Sequence, residues 1–378
     1  MKKIKVAVLY RVIQHWRCPM FQRISNLPNV DLKVFYGADF EGTKVVSGEK
    51  IEGFKSERLP TIKIKKKHNG GERQMPFCPT LFFKLIKERP DVIITEGKSN
   101  FANAFLGFIY AKLFRKKIIW WGLGKLRYEK LDSKKDKFVQ SIERKCDAQL
   151  VYSSVGKEYY ESLGIPSSKI FTAVNVVETE RIADIRRRKE YKLAVAAKGP
   201  TFNVLYVGAV NKKKKIELLI DAFAAFSKGK NDVKLMLVGG GSYLQEIIER
   251  AKVKGVTDIE TPGQVIDGLY KYFAVADVFV LPGLGGLAIS EAMAYGLPVI
   301  CSVGDGCEVD LVDETNGFRN PDLNEESLCQ YLETLYNDRN LLASMKASSL
   351  EKIANVYNVN TYINAIDRCI KNVANSIK

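Results

Sequence analysis

The segment that most constrains the fold runs from residue 280 to residue 300 and reads VLPGLGGLAISEAMAYGLPVI. It begins as an apolar run, breaks at Pro282-Gly283, continues through Gly285 and Gly286 into a helix-period stretch, and ends at a Gly-Leu-Pro turn before a second apolar run. This order predicts a strand, a glycine loop, a helix, a turn and a strand. Two strands joined by a helix form a βαβ unit, so the segment predicts a parallel sheet.

The glycine loop of this segment is suited to an anion. A glycine loop that leads into a helix presents backbone N–H groups and the positive end of the helix dipole. Glu291 is the one acid in the segment, and a carboxylate in such a helix can accept hydrogen bonds from sugar hydroxyls. An ordinary βαβ crossover without a ligand is the alternative, because glycine-rich turns of this kind are common. The loop by itself leaves both interpretations open.

The same alternation of apolar runs and helical patterns fills both halves of the chain. In the first half we predict strands at 6–10, 32–36, 92–95, 118–121 and 148–152, and helices at 19–27, 79–87 and 101–114. The pattern restarts at Phe202, with strands at 204–207, 235–238 and 276–281 and helices at 216–226 and 243–252. Such alternation predicts parallel sheets covered by helices.

The length of 378 residues is comfortable for two domains. We predict an α/β protein with a first Rossmann-like domain over 1–177, a charged linker region with a surface helix over 178–201, and a second Rossmann-like domain over 202–358. Two such domains joined by a linker are expected to face each other across a cleft. Ligands of these sheets bind beyond the carboxyl ends of the strands.

The composition is that of a globular protein rather than a disordered or transmembrane one. The chain is 46% hydrophobic and 27% charged, which is typical of a globular protein, and no apolar run reaches about 18 residues. The first residues, MKKIKVAVLYRV, fit a buried strand better than a signal peptide. Seven scattered cysteines without CxxC spacing indicate reduced thiols in a cytoplasm, and two histidines make a zinc site improbable.

Positive charge is concentrated in the first half of the chain. Residues 1–185 hold 35 Lys and Arg against 20 Asp and Glu, a net charge of +15, whereas residues 186–378 hold 24 against 23, a net charge of +1. A field confined to one half indicates a polyanion or an anionic membrane surface as the partner on that side. Solubility by excess lysine is the alternative.

A basic and aromatic segment lies within that half, over residues 61–83 (TIKIKKKHNGGERQMPFCPTLFF). Basic residues beside exposed aromatic rings suit an anionic bilayer and a lipid-pyrophosphate acceptor. A flexible basic loop beside a helix with core phenylalanines fits equally well. Nucleic acid is less favoured, because the aromatic residues form no recognisable RNA-binding pattern. The residues assigned to the membrane and acceptor side are Lys63, Lys65, Lys66, Lys67 and Arg73.

Three loops of the second half should converge at the carboxyl ends of its strands. They are GAVNKKKK at 208–215, VGGGS at 238–242 and the loop of the 280–300 segment. Four lysines at a helix N-terminus can bind a diphosphate, each as a point charge. A solvated basic loop is the alternative for the lysines.

In order and spacing these loops resemble the C-terminal domain of family 4 glycosyltransferases, which have the GT-B fold. The matching pieces are LYVGAVNKKKKIELLIDAF (205–223), LMLVGGGSYLQEII (235–248), the run from Asp277 to Ile300, and CEVDLVDETNGF (307–318). The first half is more loosely similar to a branch that acts in cell-surface polysaccharide assembly, through pieces such as PDVIITEG (90–97) and IIWWGLG (118–124). The resemblance implies a last helix, 359–378, that crosses back to the first domain.

The resemblance also implies an activity. Members transfer a sugar from a nucleotide diphosphate sugar to an acceptor with retention of configuration, usually without a metal or other cofactor, and this chain has no DxD motif. A member of this branch would act on a lipid-linked or polysaccharide acceptor, in the cytoplasm at the inner face of the membrane. The donor-binding residues it implies are Gly208, Lys213, Lys214, Gly240, Gly285, Gly286, Leu287 and Glu291, with Lys214 on the diphosphate and Glu291 on the ribose.

The chain departs from the family pattern at three places. The usual arginine of the first loop falls on Ala209, the first glutamate of the Glu-x7-Glu motif falls on Gly283, and Gly122-Leu123-Gly124 replaces a frequent histidine. These departures favour a nucleotide-diphosphate pocket over a complete hexose pocket. The missing residues keep a non-catalytic partner subunit open as an alternative. A sugar-nucleotide epimerase-like enzyme on the same fold is a second alternative, although Gly283 removes one obvious carboxylate for its proton transfer.

No catalytic residue is assigned from the sequence. Retaining members react on the front face of the donor, with the leaving phosphate helping to deprotonate the acceptor, so an obvious base is not required. Glu96 and Arg11 at the ends of predicted strands, and His15 just beyond the first strand, are candidates to meet the acceptor or the sugar. A structural or surface role is the alternative for each.

Overall fold

The computed structural model describes residues 3–40, 46–48, 50–68, 71–127 and 129–376, and only the backbone for 65–68 and 71–74. The chain divides into two compact units. Unit 1 consists of Met1–Val174 and Asn360–Lys378, and unit 2 consists of Asn175–Val359. In the part of the chain that is described, no helix is both long enough and apolar enough to cross a bilayer.

Unit 1 is built on a parallel sheet of seven strands with an added antiparallel hairpin. Its strands are β1 (Ile4–Tyr10), β2 (Val30–Tyr36), β3 (Lys55–Arg58), β4 (Ile62–His68), β5 (Gly71–Phe77), β6 (Val92–Thr95), β7 (Lys117–Gly122), β8 (Ala148–Val151) and β9 (Ile170–Thr172). The sheet order is β3-β2-β1-β6-β7-β8-β9, and β4 pairs with β5 alone.

Five helices follow the strands of unit 1: α1 (Cys18–Ser25), α2 (Leu81–Glu88), α3 (Phe101–Leu113), α4 (Lys134–Arg144) and α5 (Ser154–Ser162). Local sequence sets their ends. Ser133 and Asp136 form a capping box at the start of α4, in which each side chain accepts a backbone N–H of the other residue. The core between sheet and helices includes Trp120, Tyr110 and Leu85.

Unit 2 contains a six-stranded parallel sheet of order β12-β11-β10-β13-β14-β15. The strands are β10 (Phe202–Val207), β11 (Val233–Val238), β12 (Ile259–Gly263), β13 (Val278–Leu281), β14 (Val299–Cys301) and β15 (Gly317–Arg319). Its helices are α6 (Thr179–Arg187), α7 (Lys189–Ala196), α8 (Ile216–Phe226), α9 (Leu244–Val253), α10 (Tyr270–Val275), α11 (Leu287–Ala294), α12 (Cys307–Leu311), α13 (Glu325–Asn337) and α14 (Arg339–Asn355). Strands β10 and β13 are buried almost throughout, because helices cover both faces of such a sheet.

The last helix, α15 (Val359–Asn375), belongs to unit 1 although it follows unit 2 in the chain. The predicted domains placed the first boundary at residue 177, and the chain divides at residue 174. Residues 178–201, predicted to be a linker with one surface helix, contain α6 and α7 and belong to unit 2.

The predicted α/β class with parallel sheets is confirmed. Helix α8 was predicted to the residue, and the other predicted helices differ by a few residues at their ends. The hairpin of β4 and β5 was not predicted, because β4 contains four lysines and β5 contains a proline, which demotes a strand pattern.

Candidate functional site

The strand order of unit 2 reverses between β10 and β13, which lie side by side at the centre of the sheet. In open α/β sheets ligands bind beyond the carboxyl ends of strands at such a point. The loops that follow these two strands are tied together here. The Leu284 N–H donates to the Lys213 carbonyl at 3.1 Å, and the Lys214 ammonium donates to the Leu284 carbonyl.

Glycines allow the neighbouring loops to approach backbone to backbone. Gly239 and Gly241 have φ angles of 152° and 156°, in the region that favours glycine. A Cβ on Gly239 would overlap the Gly208 carbonyl oxygen, and a Cβ on Gly241 would overlap the Val210 carbonyl oxygen. The Gly208 N–H in turn donates to the Val238 carbonyl at 3.0 Å. Gly240 lies in the same turn. The predicted residues Gly208 and Gly240 therefore both belong to the pair of loops that approach each other here.

Gly283 is enclosed by the lysine loop. A Cβ at this position would lie 2.5 Å from the Lys214 carbonyl carbon, 2.6 Å from the Lys214 Cα atom and within overlap of the Lys213 carbonyl oxygen. All three neighbours are backbone atoms, so no side-chain rotation makes room. The conformation of this loop therefore requires glycine, which explains structurally why a glutamate is absent here.

The predicted anion loop leads directly into α11. Gly285 has φ 152°, and a Cβ on it would lie 2.5 Å from the Lys214 Nζ atom. Gly286 is the N-cap of α11, and no side chain caps the helix there. The Lys214 ammonium thus lies beside Gly285, two residues before the first residue of the helix, Leu287, an arrangement that attracts an anion.

Glu291 lies on α11 and is largely withdrawn from water. Burial raises the pKa of its carboxyl from 4.5 to about 7, and the positive charge of Arg181 opposes this rise. Arg181 lies on α6, within the region predicted as a linker. The carboxyl is therefore ready to exchange a proton near neutral pH, and an incoming hydroxyl donor would favour its ionised form.

Two acids that were not predicted lie beside the same loop. The Asp305 oxygens lie 3.2 and 3.3 Å from the position of a Cβ on Gly286. Burial raises the pKa of both Asp305 and Glu308, that of Glu308 to about 7, while Lys214 lowers that of Asp305. Glu308 accepts the N–H of Gly306 at 2.9 Å. The acids follow β14, so the position after a buried strand was the signal that could have identified them.

The remaining lysines of the first loop differ from Lys214. Lys212, Lys213 and Lys215 are exposed, and Lys212 lies over the Tyr243 ring at 5.5 Å from its centre. Lys215 has φ 50°, a left-handed conformation that is uncommon outside glycine. Lys214 is thus the lysine that the fold fixes in the site, and Lys213 contributes its carbonyl while its side chain faces solvent.

Unit 1 repeats the central reversal of strand order, between β1 and β6. Arg11 and Glu96 follow these strands and are brought together: the Arg11 N–H donates to Glu96 Oε2 at 2.5 Å, and the Arg11 guanidinium lies 3.8 Å from Oε1. Burial raises the pKa of Glu96, and Arg11 opposes the rise. This pair is a second polar site, contained in unit 1.

His15 and the basic segment stand apart from that pair. His15 begins a short 3-10 turn after β1, and among the described residues no hydrogen bond joins it to Arg11 or Glu96. Lys63 lies 5.9 Å from the centre of the Phe40 ring. Lys65, Lys66, Lys67 and Arg73 lie on the hairpin strands, and their side chains fall outside the described residues.

Comparison with solved structures agrees with this architecture. HepE from Anabaena, solved in complex with UDP, superposes with a TM-score of 0.74 at 16% identity, over 97% of this chain and 100% of that one. Similarity of this kind defines the fold, and the fold is therefore that of the GT-B glycosyltransferases. The predicted GT-B class is confirmed.

Sequence comparison relates unit 2 to known glycosyltransferases. Residues 188–352, all within unit 2, match the family model of glycosyl transferases group 1. An uncharacterized glycosyltransferase of Methanocaldococcus jannaschii is 26% identical over 69% of this chain and 70% of its own length. The GDP-mannose-dependent alpha-(1-6)-phosphatidylinositol monomannoside mannosyltransferase of Mycobacterium tuberculosis is 26% identical over 54% of this chain and 56% of its own length. Unit 2 is therefore similar to the group 1 glycosyl transferases, and the chain spans only about half of the length of the second relative.

Proposed function

We propose that this protein is a retaining, metal-independent glycosyltransferase of family 4 that moves a sugar from a nucleotide diphosphate sugar to a lipid-linked or polysaccharide acceptor of a cell-surface glycan. Unit 2 binds the donor, and unit 1 receives the acceptor. The observation that carries the proposal is the contact between the lysine loop and the glycine loop, which holds the Lys214 ammonium at the uncapped start of α11.

The chemistry of this arrangement suits a diphosphate leaving group. Charge develops on the diphosphate as the bond to the sugar breaks, and prearranged N–H groups and a cation stabilise that charge best in a site sheltered from water. Lys214 supplies the cation, and the first N–H groups of α11 supply the dipoles. Glu291 would accept hydrogen bonds from the ribose hydroxyls, for which its ionised form is the better acceptor.

The known proteins support a nucleotide donor without fixing its base. HepE was solved with UDP, and the mycobacterial relative is named as GDP-mannose-dependent. We assign the donor-binding role to Gly208, Lys213, Lys214, Gly240, Gly285, Gly286, Leu287 and Glu291, and add Asp305 as a neighbour of the loop. We propose that Arg11 and Glu96 contact the acceptor or the sugar.

We place the protein in the cytoplasm, peripheral at the inner face of the membrane. The first half of the chain carries a net charge of +15, which favours anionic lipid over nucleic acid when combined with exposed apolar residues. On β4, Ile62 and Ile64 are exposed and alternate in sequence with Lys63 and Lys65, and the same hairpin carries Lys66, Lys67 and Arg73.

A panel of nucleotides tests the donor site. UDP, GDP, dTDP and CMP, each with a corresponding sugar nucleotide, are added to the protein and the melting temperature is measured. At a ligand concentration about 100 times Kd the expected stabilisation is about 2.7 kcal/mol. No shift with any nucleotide at saturating concentrations contradicts the proposed donor site.

Two substitutions test the residue assignments. Lys214→Ala should weaken the binding of a nucleoside diphosphate more than that of a nucleoside, because the ammonium that faces the diphosphate is lost. Glu291→Ala should weaken the binding of both, because both contain ribose. Lys192→Ala on α7 is a matched control for the loss of one exposed lysine. Equal losses for diphosphate and nucleoside in Lys214→Ala would refute its assigned role.

Product analysis separates transfer from the two alternatives. Incubation of the preferred sugar nucleotide with crude lipid acceptor should yield a glycosylated lipid with retained configuration. Conversion of the sugar nucleotide without transfer would favour an epimerase-like enzyme. Tight nucleotide binding with neither reaction would favour a non-catalytic partner subunit.

A further inference from the structure

The ends of two neighbouring helices of unit 1 expose large apolar side chains. On α2, Phe83 is 71% exposed and Ile86 is 37% exposed, and at the end of α3, Leu113 is 67% and Phe114 is 46% exposed. A single exposed leucine is ordinary, but a group of four on two adjoining helices is a mark of an interaction surface.

Ring contacts join the two ends into one surface. The Phe83 ring centre lies 6.4 Å from that of Phe82, which lies 6.2 Å from that of the buried Tyr110. The Tyr110 ring in turn lies 4.8 Å from the Phe114 ring, with the two planes tilted by 32°. We call the set Phe83, Ile86, Leu113 and Phe114 the helix-end surface. Since the rings beneath it belong to the core of unit 1, its position is firmly held.

Basic residues surround the helix-end surface. Lys87, Arg89 and Arg115 are all exposed, and among the described residues none of the three has an ion-pair partner. Burial raises the pKa of the Tyr110 hydroxyl, and the positive charge of Arg89 opposes this rise, so this arginine lies near the ring contacts. The charges are therefore available to an anionic partner.

The acids nearest in sequence are already neutralised. The Glu88 carboxylate accepts from the Lys33 ammonium at 2.7 Å, and the Asp91 carboxylate accepts from the Lys116 ammonium at 2.9 Å. The surface thus presents apolar side chains within a positive field. The positive charge distinguishes this surface from a purely apolar protein–protein interface.

The two arginines occupy positions where glycine is usual. Arg89 and Arg115 follow the ends of α2 and α3 with φ of 51° in both cases. Helices commonly end on a left-handed residue, and glycine is preferred there because a side chain is strained. Arginine at both helix ends keeps a long cationic side chain beside the apolar residues at the expense of local stability.

We propose that the helix-end surface docks on an anionic membrane, with its apolar side chains in the interfacial region and Lys87, Arg89 and Arg115 on lipid phosphates. Interfacial binding by apolar groups and cations of this kind scales with buried apolar area and with the number of charges. The proposal deepens the membrane part of the proposed function by naming the docking residues. It differs from the hairpin residues predicted for that role, and it does not depend on donor binding.

Vesicle sedimentation with the full chain tests the proposal. Vesicles of phosphatidylcholine alone are compared with vesicles that contain about 30% phosphatidylglycerol, at low and high salt. The apolar variant is Phe83→Ser with Leu113→Ser, and the charge variant is Arg89→Gly with Arg115→Gly. Both act on exposed side chains, and glycine suits the left-handed positions, so folding should be retained. Leu193→Ser with Lys192→Gln, on an exposed part of α7, is the matched control.

The wild-type protein should sediment with anionic vesicles and much less with neutral ones. The apolar variant should lose about ten-fold or more in partition coefficient at both salt concentrations. The partition coefficient of the charge variant should fall about five-fold per arginine at low salt, and by less at high salt, where charges are screened. The control should bind as the wild type does.

Several results would overturn the proposal. Wild-type partition by both variants would move membrane binding to another surface, such as the hairpin, and would leave the rest of the proposed function standing. Equal binding to neutral and anionic vesicles would contradict the role of the arginines. A wild-type dimer that only the apolar variant dissociates, with unchanged vesicle binding, would assign the surface to a second copy. Nucleotide-induced melting shifts should be the same in all variants, which separates this test from that of the donor site.

Discussion

At the scale of single residues, Gly283 is the most informative position in unit 2. The family resemblance expects a glutamate there, and the sequence could show only that it is missing. The fold supplies the reason, because the backbone of Lys213 and Lys214 fills the space of a Cβ. That reason was out of reach of the sequence, since it depends on how two loops distant in the chain meet.

The enclosed position of Gly283 predicts that a glutamate there destabilises the protein. Gly283→Glu should lower the free energy of unfolding by roughly 1–3 kcal/mol, because the side chain displaces the lysine loop. Nucleotide binding should weaken with it, because the displaced loop carries Lys214. Gly199→Glu is the control, since it adds the same charge where no atom lies within 4 Å of the new Cβ and φ is not positive. Urea unfolding and nucleotide titration measure the two effects. Tighter nucleotide binding by Gly283→Glu would refute the enclosed loop.

The buried acids of unit 2 predict how stability depends on pH. Burial raises the pKa of Glu291 and of Glu308 from 4.5 to about 7 in the folded protein. The folded state therefore binds more protons than the unfolded state between these values, so this contribution to stability is greatest below about pH 4.5 and is lost as the pH rises through about 7.

Removing one of these acids should flatten that dependence. Glu291→Gln keeps the shape of the side chain and cannot ionise. Its melting temperature should therefore fall less than that of the wild type between about pH 5 and pH 8, a range that includes the folded-state pKa of about 7. Exposed Glu314→Gln is the control, and it should leave the pH profile unchanged. A wild-type profile in Glu291→Gln would mean that Glu291 remains ionised in the fold.

At the scale of elements, the sequence predicts strands well where both faces are buried and helices well where the apolar residues follow a clear helical period. The apolar runs that became β10 and β13 are continuous because those strands are covered on both faces, and α8 shows a clear helical period. The β4–β5 hairpin escaped prediction because the four lysines of β4 and the proline of β5 do not fit a buried strand. The exposure of Phe83 and the partial burial of Phe82 likewise depend on how α2 packs against α3.

The helix ends at Arg89 and Arg115 carry a prediction about stability. Glycine has no strain at φ 51°, so each Arg→Gly substitution should raise the free energy of unfolding by about 0.5–1 kcal/mol. Lys145→Gly is the matched control, because Lys145 ends α4 with φ −90° and gains nothing there. It should lower stability by roughly 0.5 kcal/mol. Thermal unfolding measures all three variants, and loss of stability in both arginine variants would show that their side chains stabilise the fold.

At the scale of the whole molecule, each unit has its own sheet, its own reversal of strand order and its own polar site. The cation and glycine loop lie in unit 2, the Arg11–Glu96 pair lies in unit 1, and most of the net charge lies in the first half of the chain. This division was predictable, because the strand pattern restarts and the charge changes along the sequence. Membership of α15 in unit 1 was expected only through the family resemblance.

Helix α15 allows this division to be tested. The Arg17 guanidinium donates to the Tyr362 hydroxyl at 2.8 Å, and Ile366, Cys369 and Ile370 of the helix are buried. Ile370→Ala leaves a cavity in unit 1 and should lower its stability by about 2–5 kcal/mol. Hydrogen exchange followed by mass spectrometry should then show faster exchange in β1, β6 and β7, with β10 and β13 unchanged.

A cavity in unit 2 should have the opposite effect. Ile289 is fully buried on α11, so Ile289→Ala should speed exchange in β10 and β13 and leave β1 and β6 as in the wild type. A bound nucleotide should slow exchange around Gly208 and Gly286 in the wild type and in Ile370→Ala, because the loops proposed to bind the donor lie within unit 2. If either variant speeds exchange equally in both sheets, the two units unfold as one, and the donor loops draw their stability from the whole chain.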